Sequence, residues 1–245
     1  MGFNFEKGTA LINRNLSFKD LQICMEHIKD QRKADHVELR KDILEGNILG
    51  KATLVNRKDI AEKLRIFYSF DTSMPVFRFF KSLWYRNVDA QPLLAFQLAQ
   101  ARDKFLYNLH EILESFSESE HVQTKNVLEK ISSKWKAQYS EQSLFAMAKH
   151  LVSAWSEAGF LSKGKKKFKI SNHVLPENVC FALYLCNLQH ISGENIFESK
   201  WIKSFYLDRS SVINLGLMAN QKGLCEFQIA SNLIRIKFND EVSAG

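Results

Sequence analysis

The sequence predicts a mainly α fold, and three observations lead there. Only 3 prolines and 10 glycines interrupt 245 residues, whereas an all-β sandwich needs turn residues far more often. Apolar residues form 45% of the chain, enough for a large core. Along most of the length they recur every three or four positions, the spacing of one helix face. The chain length suits one large domain or two or three small ones packed together.

Residues 3–12 read as a short lead-in. Ser17 is expected to cap a first helix carrying Phe18, Leu21, Met25 and Ile28 on one face. Asp35 caps a second, with Val37, Ile43 and Leu44 inward and Gly46 as its stop. After the connector 47–52, a third helix runs from about Thr53 to Phe70 on the stripe Ile60, Leu64 and Phe67. Three short helices with brief connectors are compatible with a helix-turn-helix. Pro75 precedes an aromatic run from Phe77 to Tyr85, expected as a short buried helix. Such aromatics can stack on bases, but their apolar neighbours argue for packing. Pro92 opens a helix expected to reach about Phe116 and to lie at the centre of the core. The polar, serine-rich stretch Ser115–Glu120 is the best linker.

Thr124 to about Lys136 reads as a helix with Val127, Leu128, Ile131 and Trp135 inward. Ser140 caps another, whose face is Leu144, Ala148, Leu151 and Trp155 and whose end is Gly159. Residues 160–171 then form a small β-hairpin around Lys163-Gly164-Lys165-Lys166. Helix, helix, basic hairpin is the order of a winged helix. An apolar helix follows Pro176 to about Ile191. Two more helices precede Gly223, the first with Phe197, Trp201, Ile202 and Phe205, the second from Ser210 with Val212, Ile213, Leu217 and Met218. Phe227 and Ile229, a bend at 230–232, and the alternating Ile234, Ile236 and Phe238 read as a terminal hairpin. The expected fold is therefore a helical bundle with helix-turn-helix and winged-helix elements and one or two small β-hairpins. Its units are 1–116, 121–175 and 176–245, packed as one body.

Charge is uneven along the chain. The formal net charge is +7, and residues 131–175 hold eight Lys or Arg against two Asp or Glu. The flanking stretches 71–130 and 176–245 each hold one more acid than base. A local basic surplus attracts polyanions through Coulomb attraction and counterion release. Lys163, Lys165, Lys166, Lys167 and Lys169 fall within seven residues, and lysines are point charges suited to phosphate oxygens. Lys149 and His150 on the preceding helix extend the patch. The competing reading is a solvated charged loop. A second candidate is the start of the third helix, with Lys51, Thr53, Arg57, Lys58 and Lys63. Ordinary amphipathic charge competes with it evenly. Arg209, Lys222, Arg235 and Lys237 form a third group that local acids offset, which favours packing or a partner role.

Catalytic patterns are missing from the sequence. The seven histidines form no HExxH or HxH, and there is no phosphate loop, GxGxxG or GxSxG. No catalytic residue, metal ligand or cofactor is expected. Cys24 and His27 lie one helical turn apart, but two ligands do not make a metal site. Cys24, Cys180, Cys186 and Cys225 form no CxxC pair and are expected reduced and buried. Neither a signal peptide nor an 18-residue apolar stretch is seen, so a cytoplasmic protein without membrane contact is expected.

The N-terminal order ends its second helix in Ile43-Leu44-Glu45-Gly46-Asn47-Ile48-Leu49 and opens the third at Thr53 with basic residues, Ile60, Leu64 and Arg65. Leu93-Leu94-Ala95-Phe96, Trp135, Ser140 and Glu157-Ala158-Gly159-Phe160-Leu161 follow. In this the chain resembles the BrxA family, a small component of BREX bacteriophage-defence systems, over roughly residues 5–170. The resemblance implies a small helical protein, related in shape to antitermination factors, that binds duplex DNA beside larger defence proteins including a methyltransferase and ATPases. It maps the family's connector onto Asn47-Ile48-Leu49 and its basic helix start onto Thr53, Arg57 and Lys58. Leu54-Val55-Asn56 stands where the family has a more basic, hydroxyl-rich run. The expectation is thus a non-enzymatic duplex-DNA-binding accessory protein of phage defence. An antitermination-like RNA binder and a protein–protein assembly subunit are the alternatives, and no small-molecule substrate is expected.

Overall fold

A computed structural model describes residues 15–230 and 233–238. The lead-in at 3–12, and Ser231 and Asn232 of the terminal bend, lie outside the described residues. Helices dominate: α1 (Phe18–His27), α2 (His36–Leu44), α3 (Leu54–Tyr68), α4 (Pro75–Trp84) and α5 (Gln91–Arg102) come first. Then follow α6 (Lys104–Asn108), α7 (His110–Glu114), α8 (Thr124–Trp135) and α9 (Glu141–Glu157). The chain continues through α10 (Pro176–Leu188), α11 (Asn195–Glu198), α12 (Lys200–Lys203) and α13 (Arg209–Gln221). It closes on a two-stranded antiparallel hairpin, β1 (Glu226–Ala230) and β2 (Leu233–Lys237), with Phe227 opposite Ile236.

The starts of the helices follow their capping chemistry. Asp35 accepts from the Val37 N–H at 2.8 Å, Thr53 from Asn56 at 3.2 Å and Ser140 from Ser143 at 3.2 Å, each filling one orphan donor of a first turn. Ser17 departs from expectation. Its hydroxyl turns back to Asn15 Oδ1 at 3.1 Å and caps nothing. Instead the Phe18 N–H at the start of α1 meets the Glu157 carboxylate at the end of α9.

The helix opened by Pro92 ends earlier than its apolar pattern suggests. The Asp103 backbone leaves the helical region at φ −114° and ψ 108°. Its carboxylate accepts from the N–H groups of Phe105 and Leu106 at 2.8 and 3.0 Å, restarting the chain as α6. A capping aspartate competes with helix continuation through just this local bond. Val37, expected inward, is exposed. After α2 the positive φ of 49° falls on Asn47 rather than on Gly46.

The core is continuous through α5 and α10. Gln97 Nε2 donates to the Asn178 carbonyl, and Asn178 Nδ2 to the Ala90 carbonyl, both at 3.0 Å. Residues 93–101 and 176–186 are buried throughout, so neither helix has a wet face. The aromatic run of α4 packs there: Phe79 stacks on Tyr184 at 4.1 Å and meets Phe238 edge-on at 5.3 Å. Its rings fill the core and are not offered to bases. No described helix is long and apolar enough to cross a membrane.

Candidate nucleic-acid interface

The acidic stretch read as a linker pairs with the lysine segment. The Val122 N–H donates to the Lys167 carbonyl at 2.8 Å, and the Lys169 N–H to the Glu120 carbonyl at 2.9 Å. On the other side of the lysine segment, the Ser162 N–H donates to the Phe168 carbonyl at 2.9 Å and the Ile170 N–H to the Phe160 carbonyl at 3.0 Å. Residues 119–122, 167–170 and 160–162 thus lie side by side in that order, joined by single antiparallel bridges. Val122 is the one fully apolar anchor in 117–123, too weak a signal for a strand to be read from the sequence.

This pairing brings the lysine turn across one face of α9. An open cleft of about 510 Å³ lies between them and the start of α8. Lys149, Val152, Ser153, Ser156 and Glu157 of α9 line it with Lys165 and Lys167, and residues 121–124 close the third side. Lys167 Nζ donates to Ser156 Oγ at 2.7 Å. Lys163, Gly164, Lys165 and Lys166 are exposed at the turn, where Gly164 has a φ of 114° that a side chain would strain. Among the described residues Lys149, Lys163, Lys165 and Lys166 have no carboxylate within ion-pair distance. Glu157 is the one acid lining the cleft. Burial raises its pKa, while hydrogen bonds to Ser153 and the Phe18 N–H oppose that rise.

Lys169, grouped with these lysines in the sequence, goes elsewhere. Its ammonium donates to the Phe116 carbonyl at 2.5 Å and sits 5.1 Å from the centre of the Tyr206 ring. Burial lowers its pKa, against the nearby carboxylates of Glu114, Glu118 and Glu120. It tethers the sheet segment to the core.

The N-terminal candidates are also partly spent within the fold. Lys51 pairs with Asp20 at 2.8 Å, and Lys63 with Asp59 at 2.5 Å. Arg57 Nη1 donates to the Leu44 carbonyl at 2.5 Å, fastening α3 to the end of α2. Lys58 and Thr53 remain exposed. In the C-terminal group, Arg209 pairs with Glu194 at 2.7 Å and Lys222 with Glu177 at 2.8 Å.

Among the described residues no three His, Cys, Asp or Glu side chains cluster to hold a metal. His27 Nε2 lies 2.8 Å from Asp42 Oδ2, while burial pushes the Cys24 thiol up to about 12. All four cysteines are free and buried. No protein-family model matches the chain, and neither does any curated protein.

Proposed function

We propose that the chain is a non-enzymatic duplex-DNA-binding protein that holds backbone phosphates along the cleft between α8, α9 and the lysine turn. The observation that carries this reading is the convergence of Lys149, Lys165 and Lys167 on one open cleft, with Lys163 and Lys166 beside it. Five ammonium groups held close together repel one another, and a polyanion relieves that repulsion while releasing its own counterions. The start of α8 adds main-chain N–H groups without a side-chain cap at Gln123, an environment that also favours anions.

We read residues 119–170 as winged-helix-like: a strand, α8, α9, a strand, the lysine turn and a returning strand. In this reading α9 enters the major groove and the lysine turn tracks the backbone. The major groove of B-DNA admits an α-helix, whereas that of A-form RNA is too deep and narrow. An exposed helix beside a basic turn therefore favours duplex DNA over RNA. Lys51, Arg57 and Lys169 drop out of the contacting set because their charges are used within the fold. Thr53 and Lys58 remain as a subsidiary contact. The resemblance to BrxA supports a setting in BREX phage defence, beside the larger proteins of that system.

The test is competition. A labelled random-sequence duplex is bound at moderate salt and challenged with unlabelled duplex or with structured RNA. Duplex DNA is expected to displace the label at the lower concentration. Stronger competition by RNA would overturn the duplex assignment, and no binding of either would favour an assembly subunit.

A further inference from the structure

The phosphate contacts proposed above use only the C-terminal half of the exposed α9 face. That face continues for two more turns toward the helix start. Gln142, Phe145, Lys149, Ser153 and Ser156 follow the i, i+3, i+4, i+7 pattern of one side of a helix. Leu144, Met147, Ala148, Leu151 and Trp155 occupy the opposite side and are buried. The outward stripe spans roughly 21 Å at 1.5 Å per residue. Phe145 is 52% exposed at its N-terminal end. The Gln142 amide is also exposed and has no side-chain hydrogen bond among the described residues.

Phosphate binding explains neither residue. A phenylalanine gains nothing from a phosphate, and an amide carries no charge for it. Glu141, in the same first turn, repels a phosphate but can accept from the amino group of cytosine. The chemistry at this end of α9 fits base edges. We infer that α9 reads sequence in the major groove of duplex DNA, with Phe145 against a thymine methyl group and Gln142 bidentate on a neighbouring adenine. The commitment to duplex DNA rests on the phosphate-binding reading, since the same face leads into the cleft of Lys149, Lys165 and Lys167. N-terminal residues of a groove-bound helix are the ones that meet base edges. A glutamine is matched to the N6 and N7 edge of adenine, and an apolar side chain to the C5 methyl of thymine.

The experiment sequences the fraction of a randomised duplex pool that the full chain retains. The enriched duplex is then bound again with deoxyuridine replacing each thymine, which removes only the methyl group. The wild type is expected to enrich a short A·T-containing motif and to lose about fourfold in affinity with deoxyuridine, the weight of one buried methyl group. Phe145→Ala should respond less than about twofold to deoxyuridine. Gln142→Ala should lose about tenfold of its selection for adenine. Retention of duplex without enrichment overturns base reading and leaves the phosphate contacts standing. Enrichment unchanged in both variants also overturns it. Failure to retain any duplex overturns both readings together.

Discussion

Lys167 and Ser156 are joined by a 2.7 Å hydrogen bond that pins the base of the lysine turn to the last turns of α9. The bond sets how the turn faces the cleft, because Lys163, Lys165 and Lys166 beyond it have no such anchor among the described residues. Ser156→Ala removes the acceptor but no charge. Duplex affinity is expected to fall by about two- to tenfold, in keeping with a net 0.5–1.5 kcal/mol for one hydrogen bond. The salt slope should stay the same, since every lysine remains. Fluorescence titration at several salt concentrations separates the two quantities.

Arg57 separates packing from binding. Its guanidinium reaches the Leu44 carbonyl at 2.5 Å, so Arg57→Ala loses a charged hydrogen bond, which is worth about 1.5–3 kcal/mol. Urea denaturation should show that loss of stability. Affinity for duplex DNA measured on the folded variant should change less than about twofold, because a cation spent on a carbonyl inside the fold adds little to phosphate contact. A tenfold loss of affinity would return α3 to the interface.

Glu177 is a buried carboxylate that Lys222 answers. It is 2% exposed, and Lys222 approaches its Oε1 at 2.8 Å from a position 44% exposed. Lys222→Ala leaves the charge buried without its ion-pair partner. Breaking a buried pair costs about 3–5 kcal/mol, and the exposure of Lys222 brings the expected loss to about 2–3 kcal/mol. Chemical denaturation would measure it. Lys222→Ala with Glu177→Gln should recover part of the loss.

His110 gives the fold a pH dependence of defined sign. Burial, helped by Lys200, lowers its pKa from 6.5, against the pull of Glu111 and Glu114. A hydrogen bond with the Tyr107 backbone opposes the fall as well. The unfolded chain therefore takes up the imidazole proton at a higher pH than the folded one. The stability this residue contributes is present above 6.5 and lost as pH falls from there through the folded value. His110→Gln should reduce the difference in unfolding free energy between about pH 7 and pH 5.

The sequence was most readable where a local rule decides the outcome. Asp35 and Ser140 cap helices, Pro92 sits in the first turn of one, and Ile60, Leu64 and Phe67 face inward, because caps and stripes act within a few residues. Two features resisted for a physical reason. Asp103 breaks an apolar helix through its own side chain, and the apolar pattern on either side hides the break. Residues 119–122 pair with the lysine segment through partners more than forty positions away, with Val122 alone to mark them. The site was legible as a lysine cluster but not as a set of directions. Lys165 and Lys167 face the cleft and Lys169 faces Tyr206, and only tertiary packing separates them. The exposure of Phe145 follows only from the packing of α9.

The central claim is that unpaired lysines of the turn meet phosphates, and the salt dependence of duplex binding tests it most directly. Contacts from Lys149, Lys163, Lys165, Lys166 and Lys167 predict a slope of log affinity against log salt near −4.5, at about −0.9 per phosphate. Replacing Lys163, Lys165 and Lys166 together with alanine removes three exposed charges and should bring that slope to about −2 and weaken binding at low salt. An unchanged slope and affinity in this variant would contradict the account.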